Sequence, residues 1–129
     1  MSQPTLLVID DEPTLARLIA HGARTSGFVA TLTTEAEDFK RHFALSRPDV
    51  IALDLGMPSV DGVELLRWLG QERAEATVLV ISGFDRRVLE TVMRLGEELG
   101  LRMASPLEKP IRIQELEDRL TEIRRSAPR

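Results

Sequence analysis

Short apolar runs alternate with longer amphipathic stretches along the chain, and this alternation predicts strands that alternate with helices. Each apolar run is bounded by residues that favour turns, and several contain β-branched residues. Continuous runs of this kind are typical of strands that are buried on both faces of a parallel sheet. The predicted strands lie at residues 5–9, 28–33, 49–54, 77–81 and 101–105.

The stretches between these runs carry apolar residues at helical spacing, which predicts five helices. Proline suits the first turn of a helix, whereas glycine suits the position just after its end. The expected starts and stops are Pro13 and Gly27, Thr34 and Arg47-Pro48, Val63 and Arg73, and Arg86 and Gly100. After Pro110, a closing helix is predicted that contains Ile113, Leu116, Leu120 and Ile123.

Three local predictions refine this outline. Thr34 and Glu37 have the spacing of a capping box, in which each side chain bonds the other residue's backbone, so they should start the second helix. Pro106 should end the last strand and place it at an edge, because proline has no N–H to donate. The inward stripe of the fourth helix is predicted to contain Val88, Val92, Leu95 and Leu99.

The repeated strand-helix unit predicts a doubly wound parallel sheet, because right-handed crossovers place helices on both faces. The weak second and fifth strands suit the edges, which gives the strand order 2-1-3-4-5 with five flanking helices. Residues 1–129 are expected to form one domain, with a flexible or linker-like tail from about residue 125.

This strand order brings polar side chains together at one edge of the sheet. Ligands of open parallel sheets bind beyond the carboxyl ends of the strands. Asp54 ends the central strand, and the neighbouring strands are followed by acids, a hydroxyl group or a lysine. The residues expected around one crevice are Asp10, Asp11, Asp54, Ser82 and Lys109.

Composition excludes several other classes of site. The chain has no cysteine, so disulfides, thiolate metal sites and cysteine nucleophiles are excluded. A formal net charge of -4 at pH 7, without a long basic block, argues against direct nucleic-acid binding. No basic and apolar leader precedes the first strand and no apolar run approaches membrane-spanning length, so a cytoplasmic protein without a membrane partner is expected.

The acids at the crevice predict a bound cation. Two carboxylates ~4 Å apart repel by ~4 kcal/mol at an effective dielectric constant of ~20, which a marginally stable domain cannot ignore. Lys109 offsets part of this repulsion, and Mg²⁺ would offset the remainder through carboxylate and carbonyl oxygens. A carboxylate can also attack phosphorus to give an aspartyl phosphate, and Mg²⁺, Lys109 and Ser82 would supply the neutralisation that phosphoryl transfer needs.

With these residues in place, the chain resembles the response-regulator receiver domain, the flavodoxin-like phospho-acceptor module of two-component signalling. The resemblance covers essentially the whole chain and depends on four motifs that occur in order at matching spacings. The motifs are Asp10-Asp11, Asp54-Leu55-Gly56-Met57-Pro58 followed by Asp61-Gly62, Ser82-Gly83, and Lys109-Pro110.

The resemblance implies an acceptor and a metal site. Asp54 would accept a phosphoryl group from the phosphohistidine of a histidine kinase or a histidine phosphotransfer protein. Asp11, Asp54 and the backbone carbonyl of Gly56 would bind Mg²⁺, with Asp10 acting mostly through water.

The resemblance also implies how the phosphate is held and read. Ser82 would bond a phosphoryl oxygen, Lys109 would pair with the phosphate, and the peptide bond after Lys109 would be cis. Pro106 is a departure, because receivers usually carry an aromatic residue three positions before the lysine. The switch is therefore expected to run through backbone movement around Ser82 into the fourth helix. Gly56 has no side chain and Phe84 has an apolar one near the path of the attacking water, so slow autodephosphorylation is expected.

A receiver of this kind is a signalling module and has no separate substrate. An output domain or partner protein is expected to bind the face formed by the fourth helix, the fifth strand and the fifth helix, and a phosphorylation-dependent dimer is a further expectation. The segments around Gly83 and Lys109 are also similar to receivers joined to cyclic-di-GMP phosphodiesterase domains. A receiver segment from such a larger regulator is therefore one alternative.

Three other functions remain open from the sequence. A Mg²⁺-dependent phosphatase of the haloacid-dehalogenase type needs Asp-x-Asp after the first strand, where this chain has Asp10-Asp11-Glu12. A flavin carrier shares the architecture, but acids at this position would repel the flavin phosphate. A degenerate receiver that only binds partners would be easier to accept if Asp54 or Lys109 were missing.

Overall fold

The computed structural model describes residues 3–57, 60–83 and 85–126. Strands and helices alternate through this part of the chain, as the apolar pattern predicts. The strands are Thr5–Ile9 (β1), Val29–Thr33 (β2), Val50–Asp54 (β3), Thr77–Ser82 (β4), Arg102–Met103 (β5) and Leu107–Glu108 (β6). The helices are Pro13–Thr25 (α1), Ala36–Ser46 (α2), Gly62–Gln71 (α3), Arg86–Glu98 (α4) and Ile113–Ser126 (α5). None of the described helices is long and apolar enough to cross a membrane.

The strands form one parallel sheet in the order β2-β1-β3-β4, with β5 and β6 both paired to the far side of β4. The two short segments together occupy the fifth position. The predicted order 2-1-3-4-5 and the flavodoxin-like doubly wound architecture are therefore confirmed. Every residue of β3 and β4 is buried, which fits their continuous apolar sequences.

The core consists of two layers, one on each face of the sheet. Alternate residues of a strand point to opposite faces, so neighbours in β1 belong to different layers. Leu7 and Ile9 pack on the side of α2, α3 and α4, whereas Leu6 and Val8 pack on the side of α1 and α5. This covering of both faces leaves the strand ends as the accessible part of the sheet.

The predicted capping box at the start of α2 is wrong. The N-cap residue is Glu35, whose backbone is extended, and its side chain makes no cap hydrogen bond within the described residues. The preceding chain still follows β2, because the Thr33 hydroxyl donates to the Val8 carbonyl at 2.6 Å and the Thr33 carbonyl accepts from Asp10. Thr34 therefore lies one position too early to cap the helix.

The predicted inward stripe of α4 is confirmed at Val92 and Leu99 and is wrong at Val88. Val88 is 44% exposed, whereas Leu89, Val92 and Gly96 are buried. Asp85 caps the helix by accepting from the Val88 backbone N–H at 3.1 Å, and this start sets which face meets the sheet.

The fifth strand continues beyond the point where it was predicted to stop. Hydrogen bonding to β4 continues to Ala104, whose N–H donates to the Val78 carbonyl at 2.9 Å, and pairing resumes at Leu107, immediately after Pro106. Proline cannot donate in the ladder, but Lys109 beyond it does, through a 2.9 Å bond to the Ser82 carbonyl. The edge position predicted for this strand is confirmed.

Candidate functional site

The carboxyl edge of the sheet collects the polar residues that the sequence analysis selected. Asp10 follows β1, Asp54 and Ser82 are the last residues of β3 and β4, and Lys109 follows β6. Asp10, Asp54 and Ser82 are almost completely buried. Because burial of a polar group costs free energy unless the group finds a partner, this cluster requires a specific explanation.

Asp54 is held by two donors. The Lys109 ammonium group donates to Asp54 Oδ2 at 3.0 Å, and the Gly56 backbone N–H donates to Oδ1 at 2.8 Å. The Asp54 side chain is 2% exposed, whereas that of Lys109 is 30% exposed. The carboxylate is thus fixed in orientation, and its cationic partner remains reachable from solvent.

Gly56 keeps the space beside this ion pair open. A Cβ atom at this position would lie 3.4 Å from both Asp54 Oδ1 and Lys109 Nζ. A larger side chain would therefore border directly on the carboxylate and the ammonium group. Gly56 itself is exposed, so the approach to Asp54 is from this side of the site.

Asp10 carries the least compensated charge in the cluster. Its Oδ1 accepts from the Glu12 backbone N–H at 2.9 Å, but its buried Oδ2 has no hydrogen-bond partner among the described residues. Burial raises the pKa of Asp10 to about 7, the negative charge of Asp54 adds to this effect, and the Glu12 N–H opposes it. A cation near Asp10 and Asp54 would lower the free-energy cost of burying this charge.

Glu12 has a role that the sequence analysis did not identify. Its side chain caps α1 by accepting from the backbone N–H groups of Thr14 at 3.1 Å and Leu15 at 2.8 Å. Glutamate is not a usual N-cap residue, so composition offers little signal for this role. Of the three acids after β1, Glu12 is therefore a helix cap and not a candidate metal ligand.

The donor set fits Mg²⁺ better than a metal held entirely by side chains. Within the described residues, no group of three or more His, Cys, Asp or Glu side chains is arranged to hold a metal ion. Mg²⁺ usually keeps several waters and takes only one or two carboxylates from the protein. The residues expected to bind Mg²⁺ would offer two carboxylates, those of Asp11 and Asp54, and the Gly56 carbonyl. The buried Asp10 Oδ2 atom has no hydrogen-bond partner among the described residues.

Two parts of the expected site fall outside the described residues. Pro58, the last residue of the motif that begins at Asp54, is one of them. Phe84, the apolar residue expected near the path of an attacking water, is the other. The peptide bond between Lys109 and Pro110 is described, and it is cis as expected.

A partly open pocket lies away from these acids. It has a volume of about 380 Å³ and is found where β3, β4 and β5 begin, at the amino edge of the sheet. Its lining includes the oppositely charged Arg47, Asp49, Glu75 and Arg102. Reactive groups of open parallel sheets lie at the other edge, so this pocket is not the candidate site.

Comparison with known families supports the assignment made from these residues. The family model described as the response regulator receiver domain matches residues 6–121. The alkaline phosphatase synthesis transcriptional regulatory protein PhoP of Bacillus subtilis (strain 168) is 28% identical over 95 residues, which cover 74% of this chain and 38% of PhoP. The transcriptional regulatory protein PrrA of Mycobacterium leprae (strain TN) is 33% identical over 82 residues, which cover 64% of this chain and 35% of PrrA. The chain thus matches little more than a third of the length of these relatives.

Solved structures agree. The receiver domain of the Francisella response regulator 1452 superposes with a TM-score of 0.76 at 25% sequence identity, covering 97% of this chain and 99% of that one. The chemotaxis response regulator CheY4 of Vibrio cholerae gives a TM-score of 0.80 at 17% identity, covering 95% and 99%, which is a likeness of fold alone. The family match and the order of strands show that the chain belongs to the response regulator receiver domain family of two-component systems.

Proposed function

We propose that the protein is a Mg²⁺-dependent phospho-acceptor in which Asp54 takes a phosphoryl group from the phosphohistidine of a histidine kinase or a histidine phosphotransfer protein. The observation that carries this proposal is the contact between Asp54 and Lys109, a buried carboxylate held 3.0 Å from a half-buried ammonium group at the carboxyl edge of the sheet. A carboxylate in this position is oriented for attack and has a cation ready for the charge that develops.

The transfer needs no further nucleophile or base. One carboxylate oxygen of Asp54 forms a bond to phosphorus while the bond from phosphorus to the donor's imidazole nitrogen breaks, and the electron pair leaves with the imidazole. The Lys109 ammonium group then pairs with a phosphoryl oxygen. The Ser82 hydroxyl donates to another phosphoryl oxygen.

The metal would be held by Asp11, Asp54 and the Gly56 carbonyl, with Asp10 acting through water. When bound, Mg²⁺ supplies neutralisation of the phosphoryl charge at this site. Support comes from the buried Asp10 oxygen without a partner among the described residues and from the raised pKa of that carboxyl group. Both indicate that a negative charge on Asp10 is costly in this site unless a cation or a proton compensates it.

The function that follows from this chemistry is signalling. The protein would act on no separate substrate, and the phosphoryl group would be lost only by slow autodephosphorylation. Output would use the face of α4, β5, β6 and α5, and a dimer that depends on phosphorylation is part of the proposal. Ser82 ends β4 shortly before α4, and Lys109 directly follows β6, so both groups that would contact the phosphoryl lie next to this face. We further propose that residues 1–129 are a single receiver domain located in the cytoplasm.

The family match and the residues of the site support the alternative functions less well. The family match lends no support to a haloacid-dehalogenase phosphatase or to a link with a cyclic-di-GMP phosphodiesterase. A flavin carrier would place phosphate against Asp10 and Asp11. A degenerate receiver would not require the ion pair between Asp54 and Lys109.

The test is covalent labelling with acetyl phosphate, a small phosphodonor, in the presence of Mg²⁺. Intact-mass measurement should show one added phosphoryl group in the wild-type chain and none in Asp54→Asn. Asp49→Asn is the matched control, because Asp49 precedes the opposite end of the same strand and the amide retains the oxygen that can accept from Thr5. Labelling that persists in Asp54→Asn would refute the acceptor assignment.

A further inference from the structure

The fifth position of the sheet contains one residue more than its neighbour. Thr77 lies beside Arg102 and Ser82 lies beside Glu108, so five steps along β4 correspond to six along the fifth position. The additional residue is accommodated between Met103 and Leu107, in a bulge that includes Pro106. Bulges are over-represented at sheet edges and beside active sites, where they can re-aim a side chain.

This bulge sets the register of Lys109. Beyond it, Leu107 is fully buried and Lys109 donates its backbone N–H to the Ser82 carbonyl at 2.9 Å. A strand without the additional residue would move every side chain of β6 by one position, and such a shift reverses the face to which each side chain points. The contact of Lys109 with Asp54 therefore depends on the bulge being held in place.

Arg119 of α5 holds the bulge. Its guanidinium group donates through Nη1 to the carbonyl of Pro106 at 2.9 Å and also to the carbonyl of Ser105. Both carbonyls belong to the residues that interrupt the pairing of β5 and β6 with β4. Ser105 is exposed, but Pro106 is half-buried, so its carbonyl needs another donor once it leaves the ladder, and the rigid guanidinium group supplies one.

The second contact to this segment is much weaker. Arg86 at the start of α4 lies 3.7 Å from Glu108, but the two side chains are 77% and 52% exposed. Exposed pairs of this kind contribute little. The Arg119 side chain is only 20% exposed, so its contact with the bulge is the firmer of these two polar contacts.

We propose that Arg119 is a positioning residue for the phosphoryl-transfer site: by holding the bulge at Ser105 and Pro106, it fixes Lys109 against Asp54 and couples α5 to the site. This inference rests on the function proposed above. Pro106 stands where receivers usually carry an aromatic residue. Its carbonyl accepts from Arg119, so the coupling at this position runs through the backbone. Movement of Lys109 toward a phosphoryl group would then be transmitted to α5 through Arg119.

The experiment compares Arg119→Ala with Arg124→Ala. Arg124 is a matched control because it also lies on α5 and donates to a backbone carbonyl, that of Ser26 at 3.1 Å, but far along the helix from Lys109. The first readout is the amide resonance of Lys109 in a ¹H–¹⁵N spectrum, which reports the bond to Ser82. It should shift in Arg119→Ala and stay in place in Arg124→Ala.

The second readout distinguishes a displacement of Lys109 from a general loosening of α5. The rate constant of phosphorylation by acetyl phosphate at saturating Mg²⁺ should fall about fivefold or more in Arg119→Ala, because misplacement of a neutralising group slows transfer. The dissociation constant for Mg²⁺ alone should change less than about twofold, because the metal-binding set excludes Lys109. Arg119→Lys, which restores one donor, should recover part of the rate.

The outcomes are distinct. An unchanged Lys109 resonance and an unchanged rate in Arg119→Ala would overturn the role of Arg119 while leaving the phospho-acceptor function intact. Equal slowing by Arg124→Ala would also overturn it, since any loosening of α5 would then suffice. A wild-type chain that cannot be phosphorylated would overturn the proposed function and with it this role. If Arg119→Ala does not fold, Arg119→Lys serves for the same comparison of resonance and rate.

Discussion

The ammonium group of Lys109 lies 3.0 Å from the carboxylate of Asp54, although 55 positions separate the two residues in the chain. The sheet produces this contact, because β3 and β6 both end at the same edge, on the two sides of β4. One partner is buried and the other is partly exposed. The pair therefore combines a fixed carboxylate with a cation that can move when the charge at Asp54 changes.

Substitution of Lys109 should allow phosphorylation of Asp54 but prevent the conformational response of α4 and α5. Lys109→Ala is expected to accept a phosphoryl group from acetyl phosphate, more slowly than the wild type because a neutralising group is lost, but not to pass the change to α4 and α5. It should also lower the free energy of unfolding by about 1 to 3 kcal/mol, because Asp54 is left buried without its charged partner. Amide resonances of α4 and α5, recorded before and after phosphorylation, provide the measurement. Normal phosphorylation-dependent shifts in the variant would rule out the lysine role.

Asp10 predicts an unusual dependence of stability on pH. The pKa of this carboxyl group is about 7 in the folded protein against an ordinary value of 3.8, so the folded state binds the proton more tightly. The associated stabilisation is complete below about pH 4 and is lost as pH rises through about 7. Without Mg²⁺, Asp10→Asn should therefore raise the free energy of unfolding by about 1 to 3 kcal/mol near pH 8 and change it little near pH 4.

Urea unfolding at the two pH values, with a chelator present, provides the comparison. Asp118→Asn is the control, because Asp118 is exposed on α5 and accepts a hydrogen bond only from the neighbouring Gln114 among the described residues. It should leave the pH dependence unchanged. If Asp10→Asn is no more stable than the wild type near pH 8, burial of the Asp10 charge is not costly and the argument for a cation is lost.

The sequence predicted the central part of this architecture because the relevant signals are local. β3 and β4 are continuous apolar runs, and the residues that end them are the site residues Asp54 and Ser82. Right-handed crossovers then leave few ways to order the strands, so the edge at which the acids meet follows from the pattern. The cis peptide bond after Lys109 followed from the family resemblance rather than from any local signal.

The features that sequence reasoning missed depend on tertiary contacts. Thr34 and Glu37 have capping spacing, but the pairing of β1 with β2 extends the strand to Thr33 and delays the helix. At the bulge before Leu107, the carbonyls of Ser105 and Pro106 accept from Arg119, which belongs to a later helix. No property of the segment around Pro106 alone indicates that pairing resumes beyond it.

The lifetime of the phosphorylated state should depend on the absence of a side chain at Gly56. A side chain at this position would border on Asp54 and Lys109, so a polar one could orient a water for attack on the phosphoryl group. Gly56→Asn is expected to speed dephosphorylation several-fold. The measurement is the decay of phosphorylated protein after removal of the phosphodonor.

Gly56→Ala is the control for this prediction. Its methyl group occupies the same place, about 3.4 Å from the two charged atoms, but cannot orient water. The decay rate of the alanine variant should therefore match that of the wild type. A decay that is already fast in the wild type, or that the asparagine leaves unchanged, would contradict the proposed slow autodephosphorylation.

A final prediction concerns how α5 is attached to α1. Gly27 has a φ of +93°, and a Cβ atom there would lie 2.0 Å from Arg124 Nη1, the atom that donates to the Ser26 carbonyl. Gly27→Ala therefore combines an unfavourable backbone conformation with displacement of Arg124. Gly100 has a similar φ of +82°, but its Cβ position has no atom of the described residues within 4 Å. Gly100→Ala should cost about 1 kcal/mol from the backbone alone, and Gly27→Ala about 1 kcal/mol more.

Comparing Gly27→Ala with Gly100→Ala isolates the effect of the Arg124 contact, because both substitutions replace a glycine that has a positive φ. Thermal unfolding of the two variants in parallel gives the difference, and Arg124→Ala combined with Gly27→Ala should reduce it, since the guanidinium group that meets the new methyl group is then absent. Equal destabilisation by Gly27→Ala and Gly100→Ala would mean that Arg124 moves aside without loss. In that case Arg124 contributes little to the attachment of α5, which then depends on the burial of Leu116, Leu120 and Ile123 against the sheet and on the contact of Arg119 with the bulge.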